Sequence, residues 1–143
     1  MNSLDEILEQ ILCKAYTKII YSEEKILKDM IGDTLSLKEF HTLDVVNNAM
    51  ANQNNTASNI AKILGITQGT LTTNIDRLAK KGYVNKVKHD SDRRITYINL
   101  TREGQNIRQK HENMHLKSVR NAIKNLSAAE KVALMNAMNK LDF

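Results

Sequence analysis

The sequence of 143 residues contains no proline, only five glycines and a single cysteine, Cys13. Proline and glycine interrupt helices and form turns, so their scarcity predicts long helices and argues against a turn-rich all-β fold. One cysteine cannot form a disulfide within the chain, and the acidic start lacks the basic residues and apolar run of a signal peptide. No apolar stretch reaches the length of a membrane span. We therefore expect a cytoplasmic, mainly helical protein with no membrane contact.

The motifs of common enzymes are also missing. The sequence has no glycine-rich phosphate loop, no nucleophile elbow and no carboxylate pair placed for acid–base chemistry. Its length suits one domain of ordinary size, spanning residues 1–143. These features predict a single-domain binding protein that is not an enzyme and needs no cofactor or metal.

Positive charge is concentrated in the middle of the chain. The formal net charge is +5, but residues 1–55 carry a net −4 and residues 56–110 a net +7. A basic region of this kind suits a polyanionic partner such as nucleic acid.

Helix starts are marked by three Ser-x-x-Glu patterns, which begin at Ser3, Ser36 and Ser127. The serine oxygen can accept an unpaired backbone N–H while the glutamate reaches back, so each pattern predicts a helix start. Apolar residues at helical spacing predict a first helix over residues 3–30, and a second is predicted over residues 36–50.

Two short helices follow in the basic region. Thr56 is predicted to cap a third helix that ends at Gly65, and Thr67 to cap a fourth that stops near Gly82. Two short helices joined by a tight glycine-containing turn predict a helix-turn-helix unit.

A β-hairpin is predicted next, because residues 83–88 and 95–100 alternate apolar and polar side chains on either side of a charged turn. Long helices over residues 101–126 and 128–141 complete the chain. The predicted fold is mainly α with a small β-wing, a winged helix-turn-helix lobe over residues 36–100. Helical regions 3–31 and 101–143 lie outside the lobe, and their apolar stripes predict a homodimer.

The fourth helix has one apolar and one polar face. At about 100° per residue, Ile75 and Leu78 fall near Leu71, while the opposite side carries small polar groups first and basic groups later. Small polar groups allow close approach to base edges, and basic groups suit phosphate. An ordinary solvated face is the alternative. The residues predicted to contact DNA are Thr56, Thr67, Gln68, Gly69, Thr70, Thr72, Thr73, Asn74, Arg77, Lys80, Arg93 and Arg94.

The hairpin tip carries Asp92, Arg93 and Arg94. Side chains alternate in direction along a strand, so Asp92 and Arg94 lie on one side and can form a charge-assisted pair that braces the turn. Arg93 is then the side chain expected in the minor groove, where a guanidinium reads groove shape and potential. A tip of merely solvated charges is the alternative.

Residues 59–83, followed by Asp92-Arg-Arg94 and Leu100-Thr-Arg-Glu-Gly104, resemble the MarR family of bacterial regulators. The resemblance implies a triangular homodimer in which the first, fifth and sixth helices of both subunits interlock. It implies that the winged lobes occupy successive major grooves of a pseudo-palindromic double-stranded DNA operator, with Gly69, Thr70 and Thr73 at base-reading positions.

Residues 36–46 and 69–73 are similar to the FabT subgroup of that family, which represses fatty-acid synthesis genes. The similarity implies a ligand-responsive repressor, with acyl-acyl carrier protein or another effector as partner. We expect an effector pocket lined by the first, second and fifth helices that includes His41, His111 and His115.

Two other kinds of sensor remain open. His111 and His115 are four residues apart and, with His41 and an acidic residue such as Glu24, could hold zinc, although such pairs also serve in packing and hydrogen bonding. Cys13 could sense peroxide, as in some relatives, but a lone cysteine among apolar neighbours is expected to be a small buried hydrophobe. A purely architectural DNA-binding protein is a further alternative.

Overall fold

A computed structural model describes residues 3–141 of the chain. In that range it has six α-helices and one two-stranded antiparallel sheet. The helices are α1 (Leu4–Ile31), α2 (Leu37–Ala51), α3 (Ala57–Leu64), α4 (Gln68–Lys80), α5 (Arg102–Ile123) and α6 (Ala128–Met138), the strands are β1 (Val84–Lys88) and β2 (Thr96–Leu100), and a 3₁₀ turn (Gly32–Thr34) follows α1. The predicted mainly α class and order of elements are confirmed. No helix within this range is both long and apolar enough to cross a lipid bilayer.

Capping residues begin the helices where the sequence predicts them. Ser3, Ser36 and Ser127 each accept the backbone N–H of the glutamate three residues later, and that glutamate accepts the serine N–H in return. Thr56 and Thr67 accept one such bond each, at 3.3 and 3.2 Å. These side chains satisfy N–H groups that have no partner within the helix.

The last two helices are shorter than the sequence predicts. Helix α5 ends at Ile123 and not near Leu126, and α6 ends at Met138 and not near Leu141. In both places the chain closes with a tight turn in which an N–H bonds three residues back, from Leu126 to Ile123 and from Leu141 to Met138. Ser127 needs an extended backbone to cap α6, so α5 must end before it.

The apolar core lies between α2, α3, α4 and the sheet. Its most completely buried side chains are Phe40, Leu43, Val46, Ile60, Leu71, Ile75, Leu78 and Ile98. Burial of each such side chain contributes about 1.5–3 kcal/mol. Because Leu71, Ile75 and Leu78 fix one face of α4 in this core, the opposite face of the helix is held towards solvent.

The chain divides within α5 into two compact units, one ending at His111 and one starting at Glu112. The first unit contains α1, the winged lobe and the first turns of α5. Its helix α1 carries a stripe of exposed apolar side chains, which includes Leu8, Ile11 and Ile19. In the second unit no residue of α6 is buried, and Val132, Met135 and Met138 are exposed.

Candidate nucleic-acid interface

The exposed face of α4 is the centre of the candidate interface. Gly69, Thr70, Thr73, Arg77 and Lys80 are all exposed, as predicted from the helical periodicity. The start of the face offers small side chains, and its end offers two cations. This order matches what a helix in a DNA groove needs, with close approach at its first turns and phosphate contacts at its last.

The threonines on α4 are held by bonds within the helix. The hydroxyls of Thr72 and Thr73 donate to the carbonyl oxygens four residues earlier, at 2.9 and 3.2 Å. The hydroxyls of Thr67 and Thr70 are 2.9 Å apart. A hydroxyl that donates inward keeps its acceptor lone pairs for an outside donor. Thr72 and Thr73 thus present acceptors and methyl groups in fixed positions.

An ion pair joins α4 to the hairpin. The Nζ of Lys86 on β1 lies 2.5 Å from Oδ1 of Asp76. The sequence analysis did not predict a role for Lys86. The signal was the period of two along a strand, which places Lys86 on the same side of β1 as the buried Val84. Both side chains of the pair are about half exposed, so the pair orients the hairpin more than it stabilises the fold.

The wing tip contains the predicted brace. The guanidinium of Arg94 contacts Asp92 through Nε and Oδ1 at 3.1 Å, and the Arg94 backbone N–H donates to the same oxygen. These bonds, the side-chain bond first, hold the pKa of Asp92 below its ordinary value. Arg93 is exposed, and it makes no hydrogen bond or ion pair with the residues that the structure describes.

Two residues that the sequence analysis missed hold the wing in place. Asn55 donates from Nδ2 to the Ile98 carbonyl at 2.8 Å, and Ile98 donates its N–H to the Asn55 carbonyl. His89 accepts bonds from the backbone of the tip through its Nδ1. An Asn that ends a loop, and a His at the start of a hairpin turn, are both typical of side chains that bond to nearby backbone.

Asn74 and Thr56 are placed differently from the other predicted contacts. Asn74 is half-buried and lines a cavity of about 430 Å³ together with Leu37, His41 and Leu64. Thr56 is half-buried at the start of α3, where it forms a β-bridge with Tyr97.

The histidines of the predicted effector pocket do not share one cavity in the first unit. His41 lines the cavity just described, which is formed by α2, α3 and α4 and not by α1 and α5. His111 is buried with its ring 4.2 Å from that of Phe40, and its Nε2 lies 3.6 Å from Oε2 of Glu23. Phe40 contacts His111 while His41 lines the other cavity, because the side chains of adjacent residues on a helix point about 100° apart.

The acidic residue beside His111 is Glu23 and not Glu24, the residue given above as an example of a fourth zinc ligand. Glu24 is exposed and lines a different cavity, beside Leu27 and Lys28. His115 belongs to the second unit. Among the described residues there is no group of three His, Cys, Asp or Glu side chains arranged to hold a metal ion.

The expectation that Cys13 is buried is also wrong, because the thiol is exposed. On the helical wheel Cys13 falls with Thr17 on the side of α1 opposite to the apolar stripe. Its apolar neighbours in sequence therefore do not surround it in space.

Three comparisons with known proteins agree with this geometry. The family model described as MarR family matches residues 35–96, which covers the lobe from the start of α2 to the start of β2. A structure of FabT from Streptococcus pneumoniae in complex with DNA is 29% identical, with 94% of this chain and 92% of that chain covered and a TM-score of 0.78. The winged lobe of this chain is therefore similar to that of MarR-family proteins.

Two further proteins are similar to this chain. The HTH-type transcriptional regulator PecS of Dickeya dadantii is 29% identical over 108 residues, which are 76% of this chain and 65% of PecS. The aligned part thus spans just under two thirds of PecS. A MarR variant from E. coli complexed with operator DNA shares the fold, with a TM-score of 0.59, 24% identity and 98% of both chains covered.

The MarR-like segment that ends at Gly104 has a clear structural role in this chain. Thr101 donates its hydroxyl to the Gly82 carbonyl at 2.6 Å and its N–H to the Tyr83 carbonyl. The same hydroxyl accepts the N–H of Gly104 at 3.0 Å. These bonds join the start of α5 to the turn that follows α4, so we call Gly82, Tyr83, Thr101 and Gly104 the α4–α5 joint.

Proposed function

We propose that this chain is a sequence-specific DNA-binding transcription regulator that acts as a homodimer. One observation carries the proposal. The exposed face of α4, with small polar residues first and cations last, stands beside a braced wing that presents Arg93 to solvent. The two features suit adjacent major and minor grooves of one duplex.

The proposed operator is pseudo-palindromic. A homodimer with two-fold symmetry presents two copies of α4, and both can enter major grooves on one side of the duplex only when the half-sites are about one helical turn apart. The exposed apolar stripe on α1 supports dimer formation, because apolar surface of that extent is typical of protein interfaces. A footprint over a single half-site would contradict this part of the proposal.

Selection of bound sequences from a random DNA library tests the proposal directly. We expect a symmetric site that is bound about 10³-fold more tightly than random DNA at physiological salt. Equal affinity for all sequences would favour an architectural protein instead.

Two variants of α4 then separate base contacts from phosphate contacts. Thr73→Ala should weaken binding to the selected site by about 1–3 kcal/mol and leave random DNA nearly unaffected, because Thr73 is predicted to contact a base. Lys80→Ala is the matched control, since loss of a phosphate contact weakens binding to both DNAs alike. Equal losses on both DNAs for Thr73→Ala would show that Thr73 does not contribute to specificity.

We propose more specifically that the protein is a ligand-responsive repressor of fatty-acid synthesis genes. Its support is the similarity to FabT over 94% of this chain, together with the apolar cavity beside His41. Acylated acyl carrier protein is the first effector to test, because an acyl chain suits a cavity between apolar helix faces. Operator affinity should change with the acylated carrier protein and not with the unacylated form. Zinc and peroxide serve as comparison effectors, and a response to either alone would replace this assignment.

A further inference from the structure

The wing tip is organised by a histidine ring. The backbone N–H groups of Ser91 and Asp92 both point at Nδ1 of His89, each at 3.2 Å, and the Ser91 hydroxyl lies 3.2 Å from the same nitrogen. The imidazole stands over the hairpin with its centroid 6.0 Å from that of Tyr97. His89 is half-buried, and its backbone N–H donates to the Ile95 carbonyl across the turn.

These contacts fix the state of the ring. A backbone N–H can only donate, so Nδ1 must be the acceptor and must carry no proton. The proton of the neutral ring then lies on Nε2. A second proton on Nδ1 would turn the acceptor into a donor and set it against two backbone N–H groups.

We propose that His89 is a positioning residue for the wing, and that its unprotonated Nδ1 holds the tip in the shape that delivers Arg93 to the minor groove. The inference rests on the proposed DNA-binding function. The contacts form a series, in which His89 holds the N–H of Asp92, and Asp92 holds the guanidinium of Arg94. Loss of the first contact therefore releases the brace as well.

Charged and titratable groups around the ring set the direction of a pH effect. Those with an interaction at the ring are Asp92 of the tip and Tyr97 of β2. A proton on His89 adds positive charge near DNA, which strengthens non-specific attraction. It also disorders the tip, which weakens groove-specific contacts. The ratio of selected-site affinity to random-DNA affinity separates these effects, because disorder of the tip lowers that ratio and stronger non-specific attraction alone does not.

The experiment compares the wild type with His89→Asn and His89→Ala. Asparagine has a side-chain oxygen that can accept the backbone N–H two residues later and does not titrate. Alanine has no acceptor. Affinities for the selected site and for random DNA are measured between pH 5.5 and 8.0, and the imidazole nitrogens are assigned by ¹⁵N NMR of the full-length protein without DNA. His41, His111 and His115 remain in every variant, so differences report His89.

At pH 7.5 we expect His89→Ala to lower the affinity ratio about fivefold to tenfold, and His89→Asn to stay within about twofold of the wild type. As the pH falls to 5.5, the wild-type ratio should fall about fivefold while that of His89→Asn stays flat. The NMR spectrum should show a bare Nδ1 and a protonated Nε2 at pH 8.0.

Three results would overturn the inference. The first is a His89→Ala variant whose ratio of selected-site to random-DNA affinity equals that of the wild type. The others are a His89→Asn variant whose affinity ratio falls with pH as the wild-type ratio does, and a proton on Nδ1 at pH 8.0. Failure of the proposed function looks different, because the wild type would then select no sequence at any pH. The NMR assignment would still decide whether the ring organises the tip.

Discussion

At the scale of single residues, Gly104 and Gly69 differ in what surrounds them. A Cβ on Gly104 would lie 2.1 Å from the carbonyl oxygen of Tyr83, whereas a Cβ on Gly69 would have no heavy atom within 4 Å. A backbone oxygen cannot move aside as the end of a flexible side chain can. The α4–α5 joint therefore has no room for any side chain at position 104.

Gly104→Ala should lower the free energy of unfolding by about 3 kcal/mol, because the joint must open to admit the methyl group. Gly69→Ala is the control, and it should raise stability by at most about 0.5 kcal/mol, because alanine is the better helix former. Urea unfolding followed by circular dichroism measures both. A loss below about 1 kcal/mol for Gly104→Ala would mean that the joint adapts easily.

The two wing arginines should respond differently to removal. Arg93→Ala should flatten the dependence of the logarithm of operator affinity on the logarithm of salt concentration by about one unit, since it removes one cation from the DNA. Arg94→Ala should loosen the wing by removing the Asp92 brace. The Arg94 side chain is 91% exposed, so its removal should leave global stability nearly unchanged.

Titrations of operator DNA at several salt concentrations test the first effect. Amide hydrogen exchange at Ser91 and Asp92 tests the second, and Arg93→Ala serves as its control. If amide exchange at Ser91 and Asp92 were faster in Arg93→Ala, and operator affinity depended less on salt in Arg94→Ala, then Arg93 would be the brace and Arg94 the DNA contact.

At the scale of elements, a partly buried ion pair joins the start of α2 to the end of α4. The Nζ of Lys81 lies 2.7 Å from Oε1 of Glu39, whose side chain is 16% exposed. Burial raises the pKa of Glu39, but hydrogen bonds from Lys81 and from the Ser36 N–H outweigh that effect, so the pKa lies below its ordinary value. A carboxyl whose pKa is lowered by folding adds stability at neutral pH and loses it as the pH falls through its folded-state pKa.

Glu39→Gln should lower the free energy of unfolding by about 1 kcal/mol at pH 7, and the difference from the wild type should shrink as the pH falls from about 5 to 3. Lys81→Met and the double variant complete a cycle that isolates the pair. A difference that stays constant down to pH 3 would show that the charge on Glu39 does not contribute.

The elements themselves could be predicted because their signals are local. Ser3, Ser36 and Ser127 each meet their capping partner three residues later, and the buried face of α4 follows from a period of 3.6. The bonds between elements could not be predicted in this way. Asn55 and Ile98 are 43 residues apart, and they meet only because α3 and the sheet pack on one core. The proton-free nitrogen of His89 likewise depends on the exact shape of the hairpin turn.

At the scale of the whole molecule, the apolar stripe on α1 is left exposed by residues 3–141, the part of the chain that the structure describes. Ile11 is 56% exposed and Leu8 is 49% exposed. We expect a homodimer at micromolar concentration in sedimentation experiments, because burial of such a stripe is worth about 25 cal/mol per Å² of apolar surface. A monomer under those conditions would contradict the proposed assembly.

A pair of variants locates the dimer interface. Ile11→Glu should shift the protein towards monomer, because it places a charge in the apolar stripe. Gln10→Glu introduces the same side chain on the polar side of α1 and should leave the dimer intact. Equal dissociation by both variants would indicate that net charge, and not the stripe, controls assembly.

The α4–α5 joint also bears on how such a protein can diverge. The hydrogen bonds that join Thr101 to Gly82, Tyr83 and Gly104 use main-chain groups of those three residues, and none of them involves a side chain on the exposed face of α4. With Thr70 and Thr73 as the proposed base contacts, substitutions there would change which bases are contacted without changing how α4 is anchored. On this proposal, new operator specificities would arise from single substitutions on one face of α4, whereas few substitutions would be tolerated in the α4–α5 joint.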